Sequence, residues 1–245
     1  MNLITVAERE EYLKVFRKEI KNKRLPNIDI ILCPSFTHLE VFSKSLKKGK
    51  VEVGAQDLFW EKEGPYTGEV SPAMIKDIGV EAVIIGHSER RKYFQETDKM
   101  VNLKIRAALK MGITPIVCVG ETEKEKEADL TAEIITRQIT EGFRGVSKFQ
   151  ISKVIFAYEP VWAIGSGLIP SSDEILSVKL LIRKILTEKY GMKYAQFPKI
   201  IYGGSVNFKI VGQVCVESKM NGALVGGESL SPHNFLKIAE MLNNS

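Results

Sequence analysis

The chain has 245 residues, 44% hydrophobic and 27% charged, close to the average for soluble globular proteins and enough for one barrel-sized α/β domain over 1–245. The net charge is +5, but the short clusters Lys21-Asn22-Lys23-Arg24 and Lys47-Lys48-Gly49-Lys50 each close a helical pattern, where cations offset the helix dipole. This argues against a nucleic-acid face, while a basic rim would still attract an anionic small substrate. Cys33, Cys118 and Cys215 have no close spacing, so neither a disulfide framework nor a zinc site is supported. Cys33 and Cys118 lie in apolar runs and read as core. No apolar run reaches transmembrane length and the first residues lack a signal-peptide core, so a reducing cytosol is the expected compartment.

In chain order, apolar residues at helical spacing predict a helix over 6–20. A β-branched run predicts a buried strand over 28–34, then a helix over 38–46. Strands follow over 51–58 and 82–87, a helix over 99–111, a strand over 114–120 and a helix over 130–143. The strand over 154–160 leads to the clearest helix, 173–190, which Ser171-Ser172-Asp173-Glu174 starts and Gly191 stops. A strand over 199–205, a helix over 208–216, a strand over 222–229 and a helix over 234–242 complete the chain. The alternation of strand and helix, with no Pro/Gly/Ser-rich linker, predicts one parallel α/β domain. Seven strands are visible, and a (β/α)8 barrel needs eight.

Chemistry-bearing residues gather at the carboxyl ends of these strands: Gln56, His87, Glu121, Glu159, Ser205 and Gly226-Gly227. That is the active face of such barrels. Glu159 ends an apolar run and Pro160 stops the strand, because it has no N–H to donate. Gly165 and Gly167 follow at once. This segment reads either as a fixed base with a closing loop, or as a buried ion-paired glutamate with an ordinary connection. His87 falls where a strand meets a helix start, whose free N–H groups and positive potential favour a neutral ring. A capping or core histidine is the alternative. Tyr202-Gly203-Gly204-Ser205 and Val225-Gly226-Gly227 each follow a strand, where exposed backbone amides suit a phosphate. Either Gly-Gly pair alone would equally serve a turn.

Together these segments resemble the triosephosphate isomerase family over essentially the whole chain. The motifs are Gly-Ala-Gln-Asp (54–57), Tyr-Thr-Gly-Glu-Val-Ser (66–71), Gly-His-Ser-Glu-Arg-Arg (86–91), Cys-Val-Gly-Glu (118–121), Ala-Tyr-Glu-Pro-Val-Trp-Ala-Ile-Gly (157–165), Tyr-Gly-Gly-Ser-Val (202–206) and Val-Gly-Gly (225–227). The resemblance implies interconversion of dihydroxyacetone phosphate and glyceraldehyde 3-phosphate, with Glu159 as base and His87 as the group polarising the carbonyl. This family is itself the type example of that pairing. It also implies that Gly165, Ser205, Gly226 and Gly227 bind the phosphate and that Ser88 and Glu89 stand behind the site. Residues 161–167 would form the lid, and Thr67 would reach into the partner of a homodimer. Neither metal nor organic cofactor is expected, since the reaction is a proton transfer.

The resemblance is incomplete at one end. The family's first strand closes on Asn-x-Lys, and Met1-Asn2 aligns just past it. The expectation is a barrel without its first strand and catalytic lysine, with open edges at 28–34 and 222–229. It would also leave Glu89 as a buried carboxylate deprived of its partner. A start assigned at an internal methionine would account for this and predicts about 9–10 further residues upstream, giving an ordinary barrel length. Without the cation, a phosphate-binding barrel with impaired catalysis is the alternative function. Leu168-Ile169-Pro170 also departs from the family's usual lid hinge and predicts altered loop opening.

Overall fold

β-branched and apolar side chains at every position, rather than at alternate ones, force the central strands to be covered on both faces. A computed structural model of the chain, which describes residues 1–46, 49 and 51–245, meets that demand with a curled parallel sheet. Its strands are β1 (Ile30–Leu32), β2 (Val51–Ala55), β3 (Ala82–Ile85), β4 (Thr114–Val119), β5 (Ile155–Tyr158) and β6 (Lys199–Tyr202), paired in that order. The helices are α1 (Val6–Ile20), α2 (Phe36–Leu46), α3 (Pro72–Asp77), α4 (Ser88–Phe94), α5 (Asp98–Lys110), α6 (Glu123–Glu127), α7 (Thr131–Gly142), α8 (Ser172–Tyr190), α9 (Met192–Ala195) and α10 (Pro232–Asn243).

The period of two along each strand separates two cores. Val83, Ile85, Val117, Val119, Phe156 and Tyr158 face the helices in one large cluster. Ala82, Ile84, Ile116, Cys118 and Ala157 face inward in a second, smaller one. Helices on one face and a side-chain-filled interior on the other are the layers of a (β/α)8 barrel. Capping residues fix several helix starts. Thr5, Thr122 and Ser171 each form a complete capping box, with Glu8, Glu125 and Glu174 reaching back.

Two predicted elements differ. The strand expected over 222–229 is reduced to a bridge between Ala223 and Tyr202, and the sheet therefore has six strands, not seven. Asn221 N–H donates to Ile200 O and Leu224 N–H to Tyr202 O, both at 2.8 Å, so this segment tracks β6 on one side only. Among the described residues no strand pairs with its other side. The helix expected over 208–216 is instead a turn followed by a wide helical segment, Gly212–Glu217. Ser218 Oγ donates to the Val214 carbonyl at 2.6 Å and competes with the backbone for the acceptor that an α-turn would use. The expected helix end at Lys47, Lys48 and Lys50 lies outside the described residues.

The expected open edges are present. β1 and the segment 221–225 line a single cavity of about 470 Å³, floored by Ile84, Ile116, Ile155 and Ile201.

Candidate active site

Glu159 is set by its backbone before its side chain does anything. Its N–H donates to Val119 O at 2.8 Å, and Gly203 N–H donates to Tyr158 O at 2.7 Å, so β4, β5 and β6 grip the strand end. Two glycines make the room. A Cβ on Gly120 would lie 1.7 Å from the Glu159 carbonyl oxygen, and one on Gly203 would lie 2.9 Å from Glu159 Cγ. Gly86 turns the chain at the end of β3 with φ of 75°, a conformation that favours glycine. His87 follows as the N-cap of α4, and its Nδ1 accepts the Glu89 N–H at 3.3 Å.

The two side chains then meet. His87 Nε2 is 3.1 Å from Glu159 Oε1. Glu159 is 2% exposed. Its Oε2 accepts the Ser88 N–H at 2.9 Å, whereas Oε1 has no aligned hydrogen bond. Burial pushes the Glu159 carboxyl above the usual carboxylate range, and His87, Ser88 and Cys118 only partly offset that. Because Nδ1 accepts from Glu89, Nε2 is the ring nitrogen left to carry a proton, and it stands beside the carboxylate without being aligned on it. The site is thus a buried carboxylate with one free oxygen beside an imidazole nitrogen.

The loop after Pro160 is anchored at its start. Trp162 Nε1 donates to Glu121 Oε1 at 2.8 Å and Tyr158 OH donates to the same oxygen at 3.1 Å. Val161 N–H donates to the Glu121 carbonyl at 3.0 Å. Glu121 is fully buried, its Oε2 has no partner, and burial raises its carboxyl. Gln138 clamps the strand end below, donating to Gly120 O and accepting from Gly120 N–H. Past this anchor, residues 164–169 are exposed. Ser205 Oγ donates to Ala163 O at 3.2 Å and accepts the Gly165 N–H at 3.5 Å, so the loop rests on the strand end expected to hold a phosphate.

The remaining expected residues fall as follows. Gly226 and Gly227 are exposed, with open space where a Cβ would stand, and begin the single turn Gly227–Leu230. No hydrogen bond joins them to Ser205 or Glu159 among the described residues. Thr67 is exposed in the connection 56–71, which Phe59 N–H closes by donating to Val70 O at 2.9 Å. Gln56 Nε2 donates to Met1 O and Cys33 O, tying the first residue to two strand ends. Ser88 is buried, and its N–H is the one that Glu159 Oε2 accepts. Glu89 corrects the expectation: its side chain is 67% exposed, so water solvates the carboxylate and no buried unpaired charge results.

A model of the triosephosphate isomerase family matches residues 1–242. The chain belongs to the triosephosphate isomerase family. It is 47% identical over 236 residues to a protein named triosephosphate isomerase from Dictyoglomus thermophilum, covering 96% of this chain and 94% of that one. The corresponding protein of Dictyoglomus turgidum is 46% identical over 234 residues, covering 96% and 93% of the two chains. That of Alkaliphilus oremlandii is 45% identical over 211 residues, covering 86% and 85%.

For this family member, sequence reasoning left out several residues that build the site. Gln138 lies on α7, far from the strand end it clamps, and nothing local marks it. Glu121 was visible at a strand end, but its bond to Trp162 was not. Behind His87, the Lys104 ammonium lies 2.6 Å from Asp57 Oδ1 and 2.9 Å from Glu96 Oε2, and Arg90 bonds both carboxylates. Glu96 Oε1 in turn accepts the Gly86 N–H, so this buried network holds the turn that carries His87. One signal existed: Lys104 stands in register with the buried Val101, Ile105 and Ala108 on α5. A lysine on an apolar stripe needs a buried partner.

Proposed function

We propose that the chain interconverts dihydroxyacetone phosphate and glyceraldehyde 3-phosphate. The observation that carries this reading is the buried Glu159 carboxylate, whose free Oε1 stands 3.1 Å from His87 Nε2. Family membership over nearly the whole chain supplies the substrate class. Glu159 Oε1 takes a proton from the carbon next to the carbonyl. His87 donates Nε2–H to the carbonyl oxygen, which becomes the enediolate oxygen. Glu159 returns the proton to the neighbouring carbon, while His87 moves a proton between the two oxygens. Gly165, Ser205, Gly226 and Gly227 would hold the phosphate, and residues 161–167 would close over it to keep water from the enediolate.

The same reading makes 1–245 one working domain, Thr67 a contact within a homodimer, and the cytoplasm its compartment. No helix among the described residues is long and apolar enough to cross a membrane. A coupled isomerase assay tests the proposal. Turnover that disappears in E159Q and H87A supports it. Turnover unaffected by either variant would remove both assignments.

One observation favours a second reading, a phosphate-binding barrel with impaired catalysis. Among the described residues no lysine or arginine pairs with Glu159 or His87, so this pair has no cation bonded to it. Loss of a single oxyanion donor costs roughly 10²–10³ in kcat. Binding of a triose phosphate without turnover would support this reading.

A further inference from the structure

Glu228 puts a negative charge where a phosphate is expected to bind. It follows directly on Gly226-Gly227. The Gly226 carbonyl accepts two bonds from the buried Ser229, one from its N–H at 2.9 Å and one from Oγ at 2.6 Å. Across a trans peptide the C=O and the following N–H point in opposite directions, so the Gly227 N–H faces away from Ser229. Neither it nor the Gly226 N–H has a hydrogen-bond partner among the described residues. Both glycines are exposed, with open space where a Cβ would stand. The turn thus offers two amides to an anion, and the next side chain is itself an anion.

Chain geometry limits how far that charge can retreat. The bonds between the Gly227 N–H and the Glu228 carboxylate leave the carboxylate about 4–12 Å from an anion held on that N–H, depending on the rotamer. At about 6 Å in water, a unit negative charge lowers affinity for a dianion about tenfold. An untethered glutamate here would work against the phosphate. Asn234 provides a tether: its Nδ2 donates to Glu228 Oε2 at 2.7 Å. Asn234 lies in the first turn of α10, where its own N–H donates to Ser231 Oγ at 3.3 Å. The carboxylate is therefore drawn to the positive end of a helix of 12 residues, which offsets part of its charge. Among the described residues no other side chain bonds it.

We propose that Asn234 is a positioning residue for the phosphate: by holding the Glu228 carboxylate against α10, it keeps a negative charge off the Gly226-Gly227 amides and so sets the affinity for the dianionic end of the substrate. The inference rests on Gly226 and Gly227 holding the phosphate.

The test measures inorganic phosphate binding by calorimetry at low ionic strength in the parent protein, N234A, E228Q and N234A/E228Q, with steady-state kinetics on glyceraldehyde 3-phosphate alongside. In N234A the freed carboxylate should weaken phosphate binding at least about threefold and raise KM by a similar factor, with kcat nearly unchanged. The loss should shrink as salt is added. E228Q keeps an acceptor for Asn234 without the charge and should bind phosphate at least as tightly as the parent. Parent-like binding restored in N234A/E228Q supports the proposal, because the defect then needs the negative charge. A double variant as weak as N234A would overturn it, since loss of the tether would be acting through the shape of the turn. Phosphate binding that S205A weakens and N234A leaves unchanged would overturn the inference alone. Absence of phosphate binding in the parent would overturn the phosphate reading and the inference together.

Discussion

Replacing Gly203 with alanine tests how tightly the base is placed. The added Cβ would stand 2.9 Å from Glu159 Cγ and 3.6 Å from Oε1, with the Tyr158 carbonyl oxygen at 3.4 Å. Carbon atoms pack at about 3.5–4.0 Å, so the two groups must part by roughly 0.6–1 Å. Gly203 cannot supply the movement, because its N–H is held by Tyr158 O at 2.7 Å. Glu159 must move instead, and it is hemmed in by Ser88 and Cys118. A shift of about 0.6 Å stretches the 2.9 Å bond from Ser88 N–H to the limit of a hydrogen bond. A misplacement near 1 Å costs on the order of 10²-fold in rate, and overpacking costs about 1–3 kcal/mol of stability. Steady-state kinetics on glyceraldehyde 3-phosphate should show kcat down by about 10²-fold with KM nearly unchanged, because the phosphate contacts are untouched. A thermal melt would register the smaller stability loss. A kcat within about threefold of the parent would refute the reasoning, since it would mean that the carboxylate is not held by contact with the strand end.

The raised Glu159 carboxyl has two readouts. The acid limb of kcat/KM should lie above the ordinary glutamate value of about 4.3, because the base must be ionised in the free enzyme. A folded-state value above the unfolded one means the stability contribution is present at low pH and is lost as pH rises through the folded value. The melting temperature of E159Q relative to the parent should therefore climb from pH 4 to pH 8; a difference that shrinks over that range would contradict the burial argument. Lys104→Met leaves Asp57 and Glu96 facing each other with only Arg90, and urea unfolding should show a loss of about 3–5 kcal/mol. A loss below about 1 kcal/mol would mean the network is well hydrated. Trp162→Phe removes the N–H from a buried Glu121 oxygen and should cost about 1–3 kcal/mol. Ser205→Ala removes a hydroxyl expected to bind a dianion and should weaken inorganic phosphate binding by about 10–100-fold, read by calorimetry, with the melting temperature little changed.

Much of this was legible because it is local. The apolar run Val154-Ile155-Phe156 reads locally as a buried strand, and β5 covers Ile155–Tyr158, just short of Pro160. Ser171 and Glu174 form a capping box that needs nothing beyond the first turn of α8. The carboxyl-end gathering of His87, Glu159 and Ser205 was legible for a different reason: strand direction in a parallel sheet is common to all strands, so finding the ends finds the site. What escaped depends on contacts between distant segments. The Gln138 clamp, the Glu121–Trp162 bond and the Lys104 network each join residues that no local pattern links. The segment 208–216 kept helical spacing, yet Ser218, outside that window, altered the hydrogen bonding of its last turns. The final strand is reduced to a bridge that, among the described residues, pairs with β6 alone. Glu89 was expected to be buried from its place in a motif, and exposure is a property of what surrounds a residue rather than of the motif.

Proton abstraction by Glu159 is the central claim, and it can be observed without waiting for net turnover. Dihydroxyacetone phosphate would be incubated with the 245-residue protein in D2O and followed by proton NMR. The account predicts incorporation of one deuterium, with one stereochemistry, at the carbon next to the carbonyl, and its disappearance in E159Q. No incorporation above the buffer rate, with the triose phosphate demonstrably bound, would contradict it and leave a phosphate-binding barrel.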